Sequence, residues 1–247
     1  MVIACMAVTA LVLTACGPAA TTTPPPITTT PPTTTTPPPT TKPPGLREEP
    51  KYGRTLRLLG TSPTIDPLSF DPADWAWKVS QDTTFYFEHL LGGDLDKGPR
   101  GTNEFDFLAS DWIPDNIIRG VLAESWELQA NPLALVFHLR KCIYWQAKAG
   151  VMASREFVAQ DVVYSMTRLF TSPKAIALYM GGPTRWEARD KYTAVCYMDT
   201  FFANWKYAIG HGYYDVICPE EVVKAGAANW RNATGTGPYM LTCLLYT

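Results

Sequence analysis

The sequence predicts a mixed α/β fold for residues 51–247, and two segments carry this prediction. In residues 133–140, a large apolar side chain stands at every second position, which is the period of a strand with one buried face. In residues 159–170, apolar side chains recur at the spacing of one helix face. A chain that contains both periods within one globular stretch is expected to combine a sheet with helices.

The strand prediction assigns a face to each residue of the segment. The residues predicted to face the core are Leu133, Leu135, Phe137 and Leu139. His138 and Arg140 fall on the opposite face, so we interpret His138 as an outward-facing strand residue and not as a ligand.

The helix prediction rests on one apolar stripe. Its members are Val162, Val163, Met166, Leu169 and Phe170. Asp161 falls in the first turn, where the helix dipole favours an anion, so we interpret it as a helix-start residue and not as an acid catalyst.

Other elements are predicted from shorter signals. They are a strand at 54–59, a loop at 60–67, a helix at 83–91 stopped by two glycines, strands at 192–198 and 213–218, and a turn at 235–241 that leads into a strand.

The N-terminal fifty residues predict export. Residues 2–15 form an uncharged, largely apolar run, shorter than the ~20 residues that span a bilayer but suited to a signal peptide. Residues 17–44 consist mainly of threonine and proline and hold 11 of the chain's 22 prolines. Such a segment has little apolar surface to bury, and at ~3.1 Å per residue it would act as a tether with a reach of roughly 80–90 Å.

Composition and motifs argue against several functions. The net charge of −2 provides no basic footprint for nucleic acid. The three histidines, His89, His138 and His211, are scattered, and no catalytic motif or phosphate-binding loop is present, so neither an enzyme nor a metal or other cofactor is predicted. The cysteines of the globular part are Cys142, Cys196, Cys218 and Cys243. We expect buried free thiols, although outside the cytoplasm the four could pair in three ways.

Seven short motifs, in order along the chain, resemble one family. They are Gly-Arg-Thr-Leu-Arg-Leu at 53–58, Pro-Thr-Ile-Asp-Pro at 63–67, Phe-Glu-His-Leu-Leu at 87–91, Leu-Ala-Glu-Ser-Trp-Glu at 122–127, Val-Phe-His-Leu-Arg-Lys at 136–141, Ala-Gln-Asp-Val-Val-Tyr-Ser at 159–165 and Gly-Thr-Gly-Pro-Tyr at 235–239. The family is the extracellular solute-binding proteins of ABC importers, family 5, whose members bind oligopeptides, dipeptides or nickel. In addition, Leu-Thr-Ala-Cys at 13–16 resembles the lipobox of bacterial lipoproteins, in which the cysteine, here Cys16, receives the lipid.

The resemblance implies a fold and a domain organisation. Family members have the type II periplasmic-binding-protein-like fold, in which two α/β lobes close over a ligand. We expect a signal peptide at 1–15, a lipidated tether at 16–50, and at 51–247 the first lobe plus its inserted subdomain. The second lobe is expected to be missing. The apolar run at 2–15 also lacks the preceding Lys or Arg that signal peptides usually carry, which suggests that the sequence is clipped at both ends.

The resemblance also implies a function. We expect a substrate-binding lipoprotein on the extracytoplasmic face of the cell membrane, held by lipid on Cys16, that captures peptides or a similar small solute and delivers it to ABC permease subunits. Asp71, Trp75 and Trp77 follow the 63–67 turn and are the candidate ligand contacts, although the tryptophans could instead pack within the first lobe. The alternative function is a cell-wall scaffold or adhesion lipoprotein without a transport role. If the chain ends at Thr247, no tight peptide binding is expected.

Three departures from the family pattern bear on local structure. Val158 stands where the helix usually has a threonine cap, and Cys142 stands where a glycine usually follows the strand. The usual Asp-Gly is absent from Trp-Gln-Ala-Lys at 145–148.

Overall fold

A computed structural model describes residues 55, 69–74, 83–107, 113–173, 182–212 and 216–243. The chain divides into two units, Met1–Leu59 and Gly60–Thr247, and all described residues except Thr55 lie in the second. The strand predicted at 54–59 (apart from Thr55) and the loop predicted at 60–67 lie outside the described residues. In the part that is described, no helix combines the length and the apolar character needed to cross a membrane.

The described residues form six strands and two α-helices. The strands are β1 (Leu91–Gly93), β2 (Ile118–Gly120), β3 (Ala123–Ala130), β4 (Leu133–Leu139), β5 (Pro183–Asp190) and β6 (Thr193–Met198). The helices are α1 (Ala159–Thr171) and α2 (Glu220–Gly226). Single turns of 3₁₀-helix cover Leu95–Lys97, Asp115–Ile117 and Trp230–Asn232, and a π-helical turn covers Tyr207–His211.

The larger sheet is antiparallel, with strand order β3-β4-β6-β5. Two hairpins build it: β3 pairs with β4, and β5 pairs with β6, while α1 lies between the hairpins in sequence. The central strands β4 and β6 are largely buried, whereas the edge strands β3 and β5 are mostly exposed. The mixed α/β prediction is therefore confirmed in the part that the structure describes.

The predicted alternation of β4 is confirmed. Leu135, Phe137 and Leu139 belong to the main hydrophobic core, and His138 is half-buried on the other face. That other face is more apolar than predicted, because Ala134 and Val136 form a second, smaller buried cluster with a residue of β6.

Helix α1 covers the core face of the sheet and contacts β5 and β6. Its predicted stripe is confirmed, since Val162, Met166 and Leu169 are buried in the main core. Phe170 extends the stripe by stacking at 6.5 Å on Trp186, which in turn stacks at 6.2 Å on Phe137. This aromatic column joins the helix to β5 and β4 across the core.

The helix predicted at 83–91 is wrong. Residues 83–86 form a turn, and β1 pairs antiparallel with β2. Carbonyl groups of this segment accept hydrogen bonds from distant residues, since Tyr86 O accepts from the amide of Gly237 and Leu90 O accepts from the amide of Val121. Tertiary hydrogen bonds thus replace the helical ones.

The strand predicted at 213–218 and the strand predicted after the turn at 235 are also wrong in their described residues. Residues 216–218 form no strand, because both the amide and the carbonyl of Cys218 bond the hydroxyl of Ser165 at 2.7 Å. Residues 213–215 lie outside the described part. The turn at 235–238 is confirmed as a bend, but residues 239–243 have no regular secondary structure.

Candidate functional site

The candidate ligand segment, residues 69–74, lies against helix α1. Phe70 is buried, and its amide donates a 3.1 Å hydrogen bond to the carbonyl of Ala228. At the other end of the segment, the hydroxyl of Ser172, just after α1, donates a 2.8 Å bond to the carbonyl of Ala73. The segment is therefore attached to the folded unit by its backbone as well as by its side chains.

The side chain of Asp71 forms a bidentate ion pair with Arg168. Nη1 of Arg168 donates to Oδ1 of Asp71 at 2.6 Å, and Nη2 donates to Oδ2 at 2.5 Å. Asp71 is only 8 % exposed. The hydrogen bonds from its guanidinium to Asp71 raise the pKa of Arg168. Such planar, two-point contact is the strongest form of arginine–carboxylate pairing.

Asp71 also shapes the turn that it begins. Its Oδ1 accepts a 2.9 Å bond from the amide of Ala73, as expected for an aspartate that starts a turn. Ser69 closes the turn from the other side, since its hydroxyl accepts from the Asp71 amide and donates to Oδ2 of Asp74 at 2.9 Å. The turn and the ion pair thus share one carboxylate.

A small indentation with a cavity volume of about 10 Å³ lies beside this ion pair. It is lined by Pro72 and Ala73, by Ser165, Arg168 and Leu169 of α1, and by Val216 and Cys218. Drug-sized ligands need pockets of roughly 300–1,000 Å³. This indentation is smaller, so a peptide would require further surface beyond these residues.

A second set of close backbone contacts surrounds the Gly-Thr-Gly-Pro-Tyr motif at 235–239. The amide of Gly237 donates to Tyr86 O at 2.9 Å, and the amide of Tyr239 donates to Phe85 O at 3.2 Å. A Cβ at Gly235 would lie 1.8 Å from the carbonyl oxygen of Tyr86. The motif therefore requires glycine because two backbones approach each other closely.

Two polar side chains that the sequence did not single out hold this segment from the opposite side. Nε2 of Gln146 donates to the carbonyls of Gly237 and Tyr239 at 2.6 and 2.9 Å. Nζ of Lys148 donates to the carbonyl of Leu241 at 2.8 Å, and burial lowers the pKa of this lysine. The available signal was the departure of residues 145–148 from the family pattern, which marked the position but not its role.

Asp161 organises the start of α1, as predicted. Its carboxylate is 5 % exposed and accepts from the amide of Val158, from Nε1 of Trp145 and from both terminal nitrogens of Arg155, at 2.7–3.1 Å. Arg155 also bonds Glu221 at 2.6 and 2.8 Å, which lowers the pKa of that glutamate. This network joins the start of α1 to α2 and has a structural role.

Of the predicted site residues, only Asp71 lies within the described part of the chain. Asp71 is placed in the ion pair with Arg168, 97 positions along the chain, while Trp75, Trp77 and Cys16 lie outside the described residues. Within the described ranges, no group of three or more His, Cys, Asp or Glu side chains is placed to hold a metal ion.

The expectation for the cysteines is partly wrong. Cys142, Cys196, Cys218 and Cys243 are all free, but only Cys196 and Cys218 are buried. Cys142 is exposed in the turn after β4, at φ 60°, and Cys243 is exposed at the end of the irregular 239–243 stretch.

Comparison with solved structures identifies the fold. OppA from Haemophilus influenzae, in complex with RPPGFSPFR, matches with a TM-score of 0.52 at 23 % identity, over 72 % of this chain and 34 % of that chain. The Escherichia coli murein tripeptide binding protein MppA matches with a TM-score of 0.52 at 22 % identity, over 72 % and 34 %. MoaA from A. tumefaciens R10, in complex with mannopinic acid, matches with a TM-score of 0.51 at 20 % identity, over 69 % and 31 %. The chain thus has the fold of part of a periplasmic binding protein.

Sequence comparison agrees with the structural one. Heme-binding protein A of Haemophilus influenzae is 41 % identical over 51 residues, which is 21 % of this chain and 9 % of that protein. The chain spans about a third of the length of the solved structures and less than a tenth of this curated relative. The model of the bacterial extracellular solute-binding proteins, family 5 (middle), matches residues 118–244, just over half of the 247 residues. The chain therefore belongs to family 5 of the bacterial extracellular solute-binding proteins.

Proposed function

We propose that this chain is the ligand-capturing part of an ABC importer and takes peptides or similar small solutes. The observation that carries the proposal is the family match at 118–244, which begins with β2 and contains the four-stranded sheet and both helices. Solved structures with the same partial fold include a complex with RPPGFSPFR and a murein tripeptide binding protein.

The proposed mechanism is capture without chemistry. A ligand that contacts two lobes only when they are closed shifts the population towards the closed form, and this form docks on the permease subunits. The described residues supply one side of such a cleft, which fits the small size of the indentation beside Asp71.

The proposed ligand contacts follow the 69–74 segment. Trp75 and Trp77 come directly after it in sequence and would offer flat apolar surfaces with an N–H donor each. Direct contact between Asp71 and a ligand stays a prediction. Because Arg168 already neutralises this carboxylate, a cationic ligand group would gain little from it unless the ion pair opened.

The proposed location is the extracytoplasmic face of the cell membrane, with lipid on Cys16 and residues 17–44 as the tether. The extracellular character of the family supports the side of the membrane. Growth of a bacterial expression host with a labelled fatty acid tests the anchor: label is expected on the wild-type chain and not on Cys16→Ser. Equal labelling of both proteins would contradict lipidation at this residue.

Calorimetry with RPPGFSPFR and with a murein tripeptide tests the capture function. The protein encoded by the intact open reading frame is expected to bind at least one of these probes with micromolar or tighter affinity. Residues 1–247 alone are expected to bind at least 100-fold more weakly, since they supply one side of the cleft. Absence of binding by the intact protein to both probes would contradict the proposed peptide specificity, whereas tight binding by residues 1–247 would contradict the shared-cleft mechanism.

A further inference from the structure

We propose that Arg168 and Asp71 act together as positioning residues, which fix the candidate ligand segment, residues 69–74, on helix α1. This inference rests on the proposed function for its link to ligand binding. Its structural part is independent of any ligand.

The first argument is that both oxygens of the Asp71 carboxylate already accept hydrogen bonds from within the chain. Oδ1 accepts from Nη1 of Arg168 at 2.6 Å and from the amide of Ala73 at 2.9 Å, and Oδ2 accepts from Nη2 of Arg168 at 2.5 Å. The two Arg168 contacts lie in the fork geometry that fixes both position and orientation. One carboxylate therefore sets both the turn and its distance from α1.

The second argument is burial. The Asp71 side chain is 12 % exposed and that of Arg168 is 29 % exposed, so neither charge is fully hydrated. Removing one partner from such a pair leaves the other partly buried and uncompensated. The segment is therefore expected to leave its position when either side chain is neutralised.

The third argument is that two uncharged anchors bracket the ion pair. Phe70 N bonds Ala228 O at 3.1 Å before it, and Ser172 Oγ bonds Ala73 O at 2.8 Å after it. Of these three attachments, only the ion pair is a contact between two side chains, while each of the other two involves a backbone carbonyl. A substitution there removes one anchor and leaves the backbone of the other two intact.

Amide hydrogen exchange of the ligand-free chain tests the proposal. In Asp71→Asn and Arg168→Gln, the amides of Phe70, Ala73 and Asp74 are expected to exchange about tenfold faster or more, after correction for the change in the sheet strands β3 to β6. Arg168→Lys keeps the charge but loses the fork, so an intermediate increase is expected. The double variant is expected to match the faster single variant, because the two residues act through one contact.

A matched control separates positioning from general loss of stability. Glu156→Gln removes another ion pair, with Lys191 at the β5–β6 turn, and is expected to leave the corrected exchange of residues 69–74 unchanged. Equal acceleration in the segment and in the sheet for Asp71→Asn and Arg168→Lys would overturn the proposal. If residues 69–74 keep their exchange rates while Asp71→Asn weakens binding of RPPGFSPFR by the intact protein, Asp71 contacts the ligand directly and the positioning role is wrong. Failure of every probe to bind would affect the proposed function but not the exchange result.

Discussion

At Gly235, the backbone passes so close to residue 86 that a side chain has no room. The carbonyl carbon and oxygen of Tyr86 would lie 2.5 and 1.8 Å from an added Cβ, and both are backbone atoms that cannot rotate away. Gly150 differs, since an added Cβ there would meet no atom within 4 Å, although its φ of +75° favours glycine. A side chain at residue 235 would therefore clash with the backbone, whereas a side chain at residue 150 would only strain it.

Gly235→Ala is expected to lower the free energy of unfolding by about 3 kcal/mol or more, because the backbone must shift to relieve the clash. Gly150→Ala is expected to lower it by only about 1 kcal/mol, the strain of a left-handed alanine. Urea denaturation followed by circular dichroism measures both values. Equal losses would show that the approach of residues 235 and 86 is not required for folding.

The thiols differ in reactivity for a physical reason. Burial raises the pKa of Cys218 to about 12, and burial also raises the pKa of Cys196. Since the thiolate is the nucleophile, both groups are protected by protonation as well as by burial. Cys142 and Cys243 are exposed to solvent, so burial does not shield their thiols.

Iodoacetamide at pH 8 is therefore expected to alkylate Cys142 and Cys243 at least about tenfold faster than Cys196 and Cys218 in the native chain. Peptide mapping by mass spectrometry at timed intervals measures each rate. The difference is expected to vanish in urea, which serves as the control. Rapid native labelling of Cys196 or Cys218 would contradict their burial.

Helix α1 lacks a side-chain hydrogen bond from its N-cap residue. Val158 has the extended conformation of an N-cap residue (φ −138°, ψ 166°), but its side chain accepts no hydrogen bond. Only the reciprocal contact is made, from the Val158 amide to Oδ2 of Asp161 at 3.0 Å. A residue of similar shape with a hydroxyl would complete the cap.

Val158→Thr is expected to raise the free energy of unfolding by about 0.5–1 kcal/mol and the melting temperature by a few degrees. Val163→Thr makes the same chemical change inside α1, where it supplies no cap, and is expected to be neutral or destabilising. Differential scanning calorimetry compares the two. Destabilisation by Val158→Thr would mean that packing of the valine methyl group outweighs the cap.

Helices and strands could be predicted from the sequence where the local pattern and the tertiary contacts favour the same secondary structure. Helix α1 has both an apolar stripe and an acidic first turn, and the structure places it within one residue of the predicted end. The helix predicted at 83–91 depended on the two glycines that follow it, but the carbonyls of this segment bond the amides of residues 121–123 and Gly237, which no local pattern reveals. Strands β3 and β5 were not predicted as elements because they are edge strands whose exposed polar residues weaken the alternation.

The candidate site was predictable only in part. The motif at 63–67 led to Asp71 as a candidate, and the motif at 235–239 predicted a turn, because turn formers and glycines are visible in sequence. The partner of Asp71 lies 97 residues away, and Gln146 bonds carbonyls 91 and 93 residues away. Such pairs are set by the packing of helices and loops, and a single sequence carries no signal for them.

At the scale of the whole molecule, the described unit resembles one part of a larger binding protein. It has its own core, built from the sheet, helix α1 and the aromatic column, and covers about a third of the solved relatives. Its attachments at residues 69–74 and 235–241 are polar and specific. These attachments fix both segments on the folded unit.

The stability of this unit is expected to fall in acid, and Glu156 is expected to contribute to that fall. Its carboxylate accepts from Nζ of Lys191 at 2.6 Å, from the amide of Cys142 at 3.1 Å and from the hydroxyl of Tyr192 at 2.9 Å, and these bonds lower its pKa from 4.5 to about 2. The unfolded chain takes up this proton at higher pH than the folded chain. The contribution is therefore complete above pH 4.5 and is lost as the pH falls towards 2.

Urea denaturation of wild-type and Glu156→Gln chains at pH 7, 4.5, 3 and 2 tests this expectation. The wild type is expected to be more stable at pH 7, and the difference is expected to shrink steadily below pH 4.5, because a protonated glutamate resembles glutamine. Lys191→Met, which removes the main cause of the lowered pKa, is expected to reduce the same pH dependence while leaving Glu156 in place. A difference between wild type and Glu156→Gln that stays constant from pH 7 to pH 2 would show that Glu156 contributes through packing and not through its charge.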